Sequence, residues 1–289
     1  MKLIDGTTIA QKIETRIAQA ISHLTHRPPA LAFILVGNAS ASRTYVQRKK
    51  KKCQEVGITS IDRELPHSVS ETDLLAEIAL LNRDEAVDGI LVQLPLPPQI
   101  NPFHVFSAID PAKDIDGFHP LNMGKMLLGE SGGFHSCTPQ GIHILLHETG
   151  IPLLGKHVVI IGRSNIVGKP LAALLMQKTP HGNATVTIAH SLTENLPALC
   201  RSADILVAAL GHPHFVKASM VKEGSTVIDV GINHITGLDK KTVLVGDVAF
   251  DEVAPLCSHI TPVPGGVGPM TIAMLLSNTL LSYQRRKIG

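Results

Sequence analysis

Residues 157–170 have the sequence HVVIIGRSNIVGKP, and this stretch decides the fold. The run HVVII is short, mostly apolar and stops at Gly162, as expected of a buried β-strand. A helix is predicted near residues 168–177, directly after the turn. A strand, a glycine-rich turn and a helix in this order indicate an α/β unit with a parallel sheet.

The same alternation of strand-like and helix-like segments continues on both sides of this stretch. On the C-terminal side we predict strands at residues 184–189, 204–210 and 225–230 and a helix from Met270 to Arg286. On the N-terminal side we predict, in order, a helix from Ile9 to Ile21, a strand at Ala30–Val36, a helix at Ser40–Val56, a strand at Ile58–Leu65, a helix capped by Ser70, a strand at Gly89–Leu94 and a helix from Thr138 to Gly150. Residues 110–133, rich in Gly, Pro and Asp, are predicted to form a loop-rich junction between two α/β domains.

The bulk composition excludes several classes of protein. The 289 residues are enough for about two domains, and 44% hydrophobic residues exclude a long disordered chain. A net charge of +2 gives no overall field that would select nucleic acid or a membrane as a partner. No apolar run reaches the ~18–20 residues of a membrane span, and the N-terminus lacks the pattern of a signal peptide. We therefore expect a cytoplasmic protein.

Neither the cysteines nor the histidines indicate a metal site. The four cysteines are far apart and form no CxxC pair; they are Cys53, Cys137, Cys200 and Cys257. We predict that they are buried free thiols in a reducing compartment. The 15 histidines are scattered along the chain, so no metal is expected.

The turn after HVVII is suited to a phosphate group. The N-terminus of the following helix offers free N–H groups and the positive end of a helix dipole. The pattern here is GxSxxxG, whereas the usual dinucleotide pattern is GxGxxG, so the loop alone is equally consistent with a structural turn. The strand before it, the helix after it and the later α/β segments favour a bound cofactor.

The residues at the end of the predicted strand 184–189, the second strand of the C-terminal half, indicate which cofactor binds. An NAD site usually has an acidic residue there for the ribose hydroxyls, but Ala189-His190-Ser191 contains none. Arg163 lies in the loop itself, and a guanidinium and a hydroxyl suit a 2′-phosphate, which a carboxylate would repel. We therefore predict NADP. The alternative for Arg163 is a solvated loop residue.

Tyr45 and Lys49 are the candidates for chemistry in the N-terminal half. They stand at positions i and i+4 of a predicted helix and so share one face. A lysine beside a partly buried aromatic ring can have a lowered pKa and act as a base or a proton donor. The alternative is a solvated basic face or a weak polyanion patch, since residues 48–52 are all basic.

Three further segments carry polar or conformationally special residues. Gln93 ends an apolar strand, where ligand crevices of open α/β sheets lie, although an amide satisfied by backbone is the alternative. Asp114 and Asp116 lie in a Pro/Gly-rich segment, where capping of turns is the alternative to a functional role. Residues 261–271, TPVPGGVGPMT, are so dense in Pro and Gly that they fix the backbone course and allow close approach of a ligand.

Taken together and in order, these segments resemble one family, the bifunctional methylenetetrahydrofolate dehydrogenase/methenyltetrahydrofolate cyclohydrolases. The resemblance covers nearly the whole chain, and no motif position departs from it. The matching segments are Tyr45-Val46-x-x-Lys49-x-Lys51, Val92–Pro97, Lys113–Phe118, Gly162-Arg163-Ser164-x-x-Val167-Gly168-x-Pro170 and Pro262–Thr271. The GxSxxxG loop, unusual for a generic dinucleotide domain, is normal in this family.

The resemblance implies a fold and two reactions. The fold would be α/β, with an N-terminal three-layer parallel-sheet domain (1–137), to which a C-terminal helix (270–289) returns, and a Rossmann-like NADP domain (138–269). The reactions would be the NADP-dependent oxidation of 5,10-methylenetetrahydrofolate to 5,10-methenyltetrahydrofolate, and hydrolysis of that cation to 10-formyltetrahydrofolate. A homodimer is implied as well.

The resemblance also implies roles for individual residues. Lys49 would be the central catalytic residue, chiefly for hydrolysis, and Gln93 would hydrogen-bond it and tune its proton affinity. Tyr45 would stack on the folate, and Asp116 would accept hydrogen bonds from the pterin. Further substrate contacts would come from Val92, Leu94, Pro264, Gly265 and Val267, and cofactor contacts from Gly162, Arg163, Ser164, Ile166, Val167, Ser191 and Ile232.

Three other hypotheses are compatible with the sequence. One is an enzyme of this fold with only the dehydrogenase activity, or a reductase of another small substrate. A second is a polyanion-binding module that uses residues 48–52, which the near-neutral charge and the scarcity of aromatic residues disfavour. The third adds to the main hypothesis: the same basic residues would attract the polyglutamate tail of cellular folates.

Overall fold

The computed structural model of the chain describes residues 1–236 and 242–288. The strands are β1 (Lys2–Leu3), β2 (Ala30–Val36), β3 (Thr59–Leu65), β4 (Gly89–Val92), β5 (His157–Ile161), β6 (Thr185–Ala189), β7 (Ile205–Ala208), β8 (Thr226–Asp229), β9 (Asn233–Thr236), β10 (Thr242–Val245) and β11 (His259–Ile260). The helices are α1 (Gly6–Ser22), α2 (Ser40–Val56), α3 (Glu71–Arg83), α4 (Pro102–Ala108), α5 (Pro120–Leu128), α6 (Cys137–Glu148), α7 (Gly168–Leu175), α8 (Leu196–Arg201), α9 (Phe250–Val253) and α10 (Val267–Ile288). Within the described ranges, none of these helices has the length and apolarity needed to cross a bilayer.

The chain divides into two compact units. The three-stranded unit comprises Gln11–Cys137 and the chain from Ile272 onward, and the six-stranded unit comprises Met1–Ala10 and Thr138–Thr271. The division expected from the sequence differs from this one mainly in residues 1–10. These residues belong to the six-stranded unit because β1 pairs in parallel with β11.

The three-stranded unit is built on the parallel sheet β3-β2-β4. Its central strand β2 is buried along its whole length, because its sequence, ALAFILV, is apolar on both faces. α2 follows β2 and ends at Gly57, whose φ of 87° is the left-handed conformation that glycine adopts without strain. α3 begins after Ser70, whose hydroxyl accepts a hydrogen bond from the N–H of Asp73 at 3.1 Å. Both predicted helix boundaries, Gly57 and Ser70, are confirmed.

A short extended segment lies beside β4 and widens this sheet. The N–H of Ile90 donates to the carbonyl oxygen of Lys113 at 2.9 Å, and Ile90 forms a parallel bridge with Asp114. The chain therefore runs past β4 in the same direction as the strand. This path brings Asp116 to the carboxyl edge of the sheet, where Gln93 also lies.

α10 completes the three-stranded unit from residue 272 onward. The side chain of Asn278 donates to the carbonyl oxygen of Ile115 at 2.8 Å, and the hydroxyl of Ser282 donates to that of Ala112 at 2.7 Å. Buried polar side chains of a helix need such partners. α10 is thus held against the same segment that carries Asp116.

The six-stranded unit contains the parallel sheet β1-β11-β8-β7-β5-β6 and a separate antiparallel pair, β9 and β10. From β5 the chain moves to β6 on one side and then to β7 on the other. β5 is therefore the point at which the strand order reverses. Ligands of open α/β sheets bind beyond the carboxyl ends of the strands at such a point, so the loops after β5, β6 and β7 form the expected crevice.

The predicted class, two α/β domains with parallel sheets, is confirmed. The loop-rich junction predicted for residues 110–133 is wrong in its second part, where α5 forms. Pro120 occupies the first turn of α5, and Gly129 follows its last residue with a φ of 74°. Both residue types mark helix ends as well as loops, and this ambiguity caused the error. The short elements α4, α8, β9 and β10 were not predicted, because segments of four to seven residues carry little periodicity.

Candidate active site

Lys49 is buried in α2, with 6% of its surface exposed. Its Nζ donates a hydrogen bond to Oε1 of Gln93 at 3.2 Å and lies 4.8 Å from the centre of the Tyr45 ring. Tyr45 precedes Lys49 by one helical turn, so the sequence spacing itself places the ring next to the amine. The hydrogen bond to Gln93 adds a contact across the fold, which the helix pattern could not specify.

Gln93 follows directly after β4, at the carboxyl end of the three-stranded sheet. Its Nε2 donates to the carbonyl oxygen of Leu94 at 2.7 Å, which leaves the amide oxygen toward Lys49. An amide oxygen accepts a hydrogen bond from either the charged or the neutral amine. Gln93 therefore holds Lys49 in place without the negative charge by which Asp or Glu would raise the lysine pKa.

Asp116 interacts electrostatically with Lys49 and completes the cluster. Burial raises the pKa of Asp116 to about 6, and the Lys49 charge opposes that rise. Burial also lowers the pKa of Lys49, and there Asp116 opposes the change. Both groups thus titrate closer to neutral pH than exposed groups of their type, as proton-transferring residues do. Among the described residues no hydrogen bond to the Asp116 carboxylate is found, so its lone pairs are available to a ligand.

Tyr45 is half-buried beside this pair. Burial raises the pKa of its hydroxyl to about 12. The phenol therefore stays protonated at neutral pH and is a hydrogen-bond donor and a flat apolar surface, not a base.

Two neighbours of Asp116 in the chain have structural contacts instead. The Nζ of Lys113 is buried and donates to three backbone carbonyl oxygens at the end of α3, at 2.7–2.8 Å. The carboxylate of Asp114 accepts hydrogen bonds from two backbone N–H groups just before α5 and from Asn122. Capping, the alternative considered for both aspartates, therefore describes Asp114 and not Asp116.

Cys137 belongs to the same cluster, although no sequence pattern pointed to it. Its thiol donates to the carbonyl oxygen of Ile115 at 3.3 Å and accepts a hydrogen bond from Asn278 at 3.7 Å. Burial and the charge of Asp116 raise the pKa of this thiol well above its usual value, so it remains protonated. Asn278 left only a weak signal, because it lies in the polar run Ser277-Asn278-Thr279 between apolar pairs of α10. All four cysteines are buried and free, as predicted.

The basic run at residues 48–52 is divided between the interior and surface ion pairs. Lys50 contacts Asp62 at 2.6 Å, and Lys52 contacts both Glu14 and Glu55 at 2.9 Å. Lys51 approaches only Glu55, at 3.9 Å, and Arg48 is exposed without an ion pair among the described residues. Since most of this charge is neutralised locally, the run is a poor polyanion patch.

The glycine loop after β5 is packed tightly against neighbouring backbone. Gly162 has a φ of 129°, and a Cβ at this position would overlap the carbonyl oxygen of Ala209. A Cβ at Gly168 would overlap the carbonyl oxygen of Gly162. The hydroxyl of Ser164 accepts hydrogen bonds from Val167 and Gly168 at the start of α7, at 3.1 and 3.4 Å. Both glycines are thus required by close backbone contacts, and the Ser164 hydroxyl ties the loop to the start of α7.

Side chains predicted to contact the cofactor surround this loop. β5 and β6 are paired up to Ile161 and Ala189, so Arg163 and Ser191 leave the sheet at the same edge. Arg163, Ser191 and Ile232 are all exposed. No acidic residue follows β6 directly. A cationic and a hydroxyl group at this edge fit a 2′-phosphate, so the residues present are suited to NADP.

The Pro/Gly-rich segment before α10 is anchored to the start of the chain. Gly265 has a φ of 107°, and its carbonyl oxygen accepts a hydrogen bond from the N–H of Thr7 at 3.0 Å. A Cβ at Gly6 would overlap the carbonyl oxygen of Gly266. Backbone this closely packed is fixed in position, as expected for a segment that a ligand approaches.

Not every residue predicted to contact the substrate has an exposed side chain. The side chains of Val92 and Val267 are 3% and 4% exposed. Only their backbone groups remain for contact with a ligand. Leu94 is partly exposed, and Pro264 is exposed. In the part of the chain that the structure describes, no group of three His, Cys, Asp or Glu side chains could hold a metal ion.

Two family models match consecutive parts of the chain. The catalytic domain of tetrahydrofolate dehydrogenase/cyclohydrolase matches residues 4–116. The NAD(P)-binding domain of the same enzymes matches residues 136–287. The first region contains Tyr45, Lys49, Gln93 and Asp116, and the second contains the glycine loop.

Individual proteins are similar over nearly the whole chain. The bifunctional protein FolD of Protochlamydia amoebophila is 58% identical over 285 residues, which cover 98% of each chain. The crystal structure of the bifunctional methylenetetrahydrofolate dehydrogenase/cyclohydrolase FolD from Campylobacter jejuni has a TM-score of 0.92 at 46% identity, covering 99% of each chain. The Trypanosoma brucei methylenetetrahydrofolate dehydrogenase-cyclohydrolase, solved with NADP cofactor and an inhibitor, has a TM-score of 0.93 at 38% identity and covers 99% of this chain and 98% of its own.

Proposed function

The chain belongs to the tetrahydrofolate dehydrogenase/cyclohydrolase family, and on that premise we propose that it catalyses two consecutive reactions. It oxidises 5,10-methylenetetrahydrofolate to 5,10-methenyltetrahydrofolate with NADP⁺, and it hydrolyses the product to 10-formyltetrahydrofolate. The observation that carries the proposal is the buried Lys49, hydrogen-bonded to Gln93 and electrostatically coupled to Asp116.

The first reaction is a hydride transfer. When bound, NADP⁺ accepts the hydride from the one-carbon bridge of the substrate. Gly162 and Gly168 let the loop between β5 and α7 pack tightly against backbone, and Arg163 and Ser191 supply a cation and a hydroxyl for the 2′-phosphate. Hydride transfer requires no proton donor, so the chain contributes orientation to this step.

The second reaction adds water to the methenyl carbon, which is part of a delocalised cation. A protonated Lys49 would repel this cation, whereas burial favours the neutral amine. The neutral Nζ accepts a proton from the attacking water as the carbon–oxygen bond forms. The resulting ammonium returns this proton to N5 as the carbon–N5 bond breaks, and the hydroxyl proton leaves to solvent as the formyl carbonyl forms. Gln93 keeps the amine in position throughout, because its amide oxygen accepts a hydrogen bond from either protonation state.

Asp116 and Tyr45 are proposed to hold the folate. The free lone pairs of the Asp116 carboxylate suit the amino edge of the pterin. The Tyr45 ring offers a flat surface for stacking. The remaining predicted contacts with the substrate are Val92, Leu94, Pro264, Gly265 and Val267.

A coupled assay tests the function directly. Purified protein is mixed with 5,10-methylenetetrahydrofolate and NADP⁺, and NADPH and 10-formyltetrahydrofolate are measured in the same sample. We expect both products. NADPH without 10-formyltetrahydrofolate would identify a dehydrogenase only, and neither product would refute the proposal.

We also propose a cytoplasmic homodimer. β3 supports the dimer, because among the described strands it pairs with β2 alone, and an open strand edge is a place where a second chain can bind. The buried free thiols support a reducing compartment. Light scattering after size exclusion measures the mass: we expect twice the 30.9 kDa of the chain, and a species of the single-chain mass would contradict the dimer.

A polyglutamate tail on the folate is a finer proposal about the substrate. Arg48 and Lys51 support it, because both are exposed and carry charge that is not strongly paired. Lys50 and Lys52 are unsuited to this role, since acidic neighbours already contact them.

A further inference from the structure

Asp247 is a fully buried carboxylate that holds the loop after β7. Its Oδ2 accepts hydrogen bonds from the N–H groups of Leu210 and Gly211 at 2.6 and 2.9 Å. Its Oδ1 accepts one from the N–H of His212 at 2.9 Å and one from Asn233 at 2.8 Å. Three consecutive backbone N–H groups therefore converge on one side chain that is 0% exposed. A buried charge is tolerated when hydrogen bonds satisfy it in this way.

A second buried carboxylate, Asp229 at the end of β8, holds Asp247 itself. Asp229 accepts hydrogen bonds from the N–H groups of Gly231, Asp247 and Val248 at 2.9–3.0 Å. A Cβ at Gly231 would overlap the Asp247 carboxylate, and a Cβ at Gly246 would overlap that of Asp229. The two aspartates thus bind together the loop after β7, the loop after β8 and residues 246–248. That arrangement contains more charge than a simple turn requires.

The loop that Asp247 holds is a wall of the expected cofactor crevice. β7 is the neighbour of β5 on the side away from β6. The carbonyl oxygen of Ala209 lies so close to Gly162 that only glycine fits there. Residues 209–212 therefore border the glycine loop on one side, and Ser191, which follows β6, lies on the other. The loop after β8 carries Ile232, another predicted cofactor contact.

We propose that Asp247 is a positioning residue for NADP: it fixes residues 209–212 against the glycine loop so that this wall is formed before the cofactor binds. The inference rests on the proposed function in that NADP is the ligand. It concerns the part of the cofactor away from the 2′-phosphate, because Ser191 follows β6, which lies on the other side of β5 from β7.

Asp247→Asn tests the proposal by removing one oxygen acceptor and placing an NH2 group against backbone donors. NADP⁺ and adenosine 2′,5′-bisphosphate are titrated into the wild type and the variant by calorimetry. The second ligand has the 2′-phosphate but no nicotinamide. We expect the Kd of NADP⁺ to rise at least tenfold and that of the bisphosphate to change less than threefold. The KM for the folate substrate is expected to stay within twofold in the dehydrogenase assay.

Asp204→Asn is the matched control. Asp204 directly precedes β7, at the amino ends of the strands of the same sheet. There it accepts a hydrogen bond from the N–H of His157 at 3.0 Å and pairs with Lys222 at 2.8 Å. Its replacement should leave the Kd of NADP⁺ within twofold. Should Asp247→Asn not fold, Asn233→Ala removes one donor to the Asp247 carboxylate, keeps the three backbone contacts, and is expected to raise the Kd of NADP⁺ about three- to fivefold.

Two results would overturn the inference. One is an unchanged Kd of NADP⁺ in a folded Asp247→Asn or Asn233→Ala variant. The other is an equal loss of both ligands, which would mean that Asp247 stabilises the unit generally and does not position one wall. Failure of the proposed function looks different: the wild type would bind NADP⁺ but form no NADPH from 5,10-methylenetetrahydrofolate.

Discussion

The two candidate sites of the molecule are organised in opposite ways. In the three-stranded unit the functional side chains are themselves fixed. Lys49 is buried and hydrogen-bonded to Gln93, and the charge of Asp116 opposes the lowering of the Lys49 pKa by burial. In the six-stranded unit the backbone is fixed instead, by close backbone contacts at Gly162 and Gly168 and by hydrogen bonds to the buried Asp247. The side chains of Arg163 and Ser191 are exposed.

This difference follows from the two tasks. Proton transfer depends on the pKa of one group, which must be set by surroundings that are already in place. Binding a cofactor phosphate depends on N–H groups and space, which the backbone provides. We therefore expect single substitutions to have larger effects in the first site than in the second.

Lys49→Gln is the substitution with the largest expected effect. It removes the only amine in the cluster, so the hydrolysis of methenyltetrahydrofolate should fall by about 10³-fold, within the range for loss of a general base. Loss of absorbance of the methenyl compound measures the rate. The Kd of NADP⁺ should stay within twofold. Lys50→Gln, at a surface ion pair, is the control, and comparable rates for the two variants would dismiss Lys49 as the base.

Asp116→Asn should lower both activities by about 10²-fold while making the protein more stable. Burial raises the pKa of Asp116 in the folded state to about 6, above the value of 3.8 for the free side chain. The folded state therefore binds this proton more tightly than the unfolded state does. The contribution of Asp116 to stability improves as the pH falls from about 6 towards 3.8, and the ionised group is unfavourable above that window.

The amide resembles the protonated acid at every pH. The free energy of unfolding of Asp116→Asn should thus exceed that of the wild type by about 1 to 3 kcal/mol at pH 7.5, and the difference should shrink towards pH 4. Denaturant titrations at both pH values measure it. A variant less stable than the wild type at pH 7.5 would mean that the carboxylate has structural partners, as Asp114 does.

The sequence predicted the local part of each site and missed the contacts between distant segments. The i, i+4 spacing placed Tyr45 beside Lys49, and the position of Gln93 at a strand end placed it in a ligand crevice. Nothing in a single sequence could show that Cys137 and Asn278 meet near Asp116, because these two residues are 141 positions apart in the chain. The same limit applies to Asp247, whose partners follow β7 and β8.

The elements of the fold were predictable where a local sequence pattern identifies them. Continuous apolar runs that end at a glycine, such as β2 and β5, identify their strands without any periodicity. Pro120 and Gly129, in contrast, mark both loops and helix ends, so α5 is not predicted. Their spacing in the sequence could not show which of Asp114 and Asp116 caps a turn and which is available to a ligand. Only the hydrogen bonds of Asp114 identify it as a capping residue.

Arg163→Ala should have a smaller effect, confined to cofactor choice. The guanidinium is proposed to pair with the 2′-phosphate, so its loss should raise the KM for NADP⁺ about 10- to 30-fold and leave that for NAD⁺ unchanged. Steady-state kinetics with both cofactors give the ratio. Lys169→Ala is the control, because Lys169 is exposed in the first turn of α7, next to this loop, and its Nζ donates to Asn165 at 2.7 Å. An unchanged ratio in Arg163→Ala would make this arginine a solvated loop residue.

The smallest expected effect concerns the exposed basic residues of α2 and their contribution to substrate binding. Arg48→Ala and Lys51→Ala should each raise the KM for a pentaglutamyl substrate about two- to threefold and leave that for the monoglutamyl substrate unchanged, since exposed charges separated by water act weakly. The effect should disappear at high ionic strength, where such interactions are screened. Lys50→Ala provides the comparison, because Asp62 already neutralises Lys50. If the two substrates respond alike in every variant, the tail is not recognised by this run, and the contribution of α2 to function is limited to the face that carries Tyr45 and Lys49.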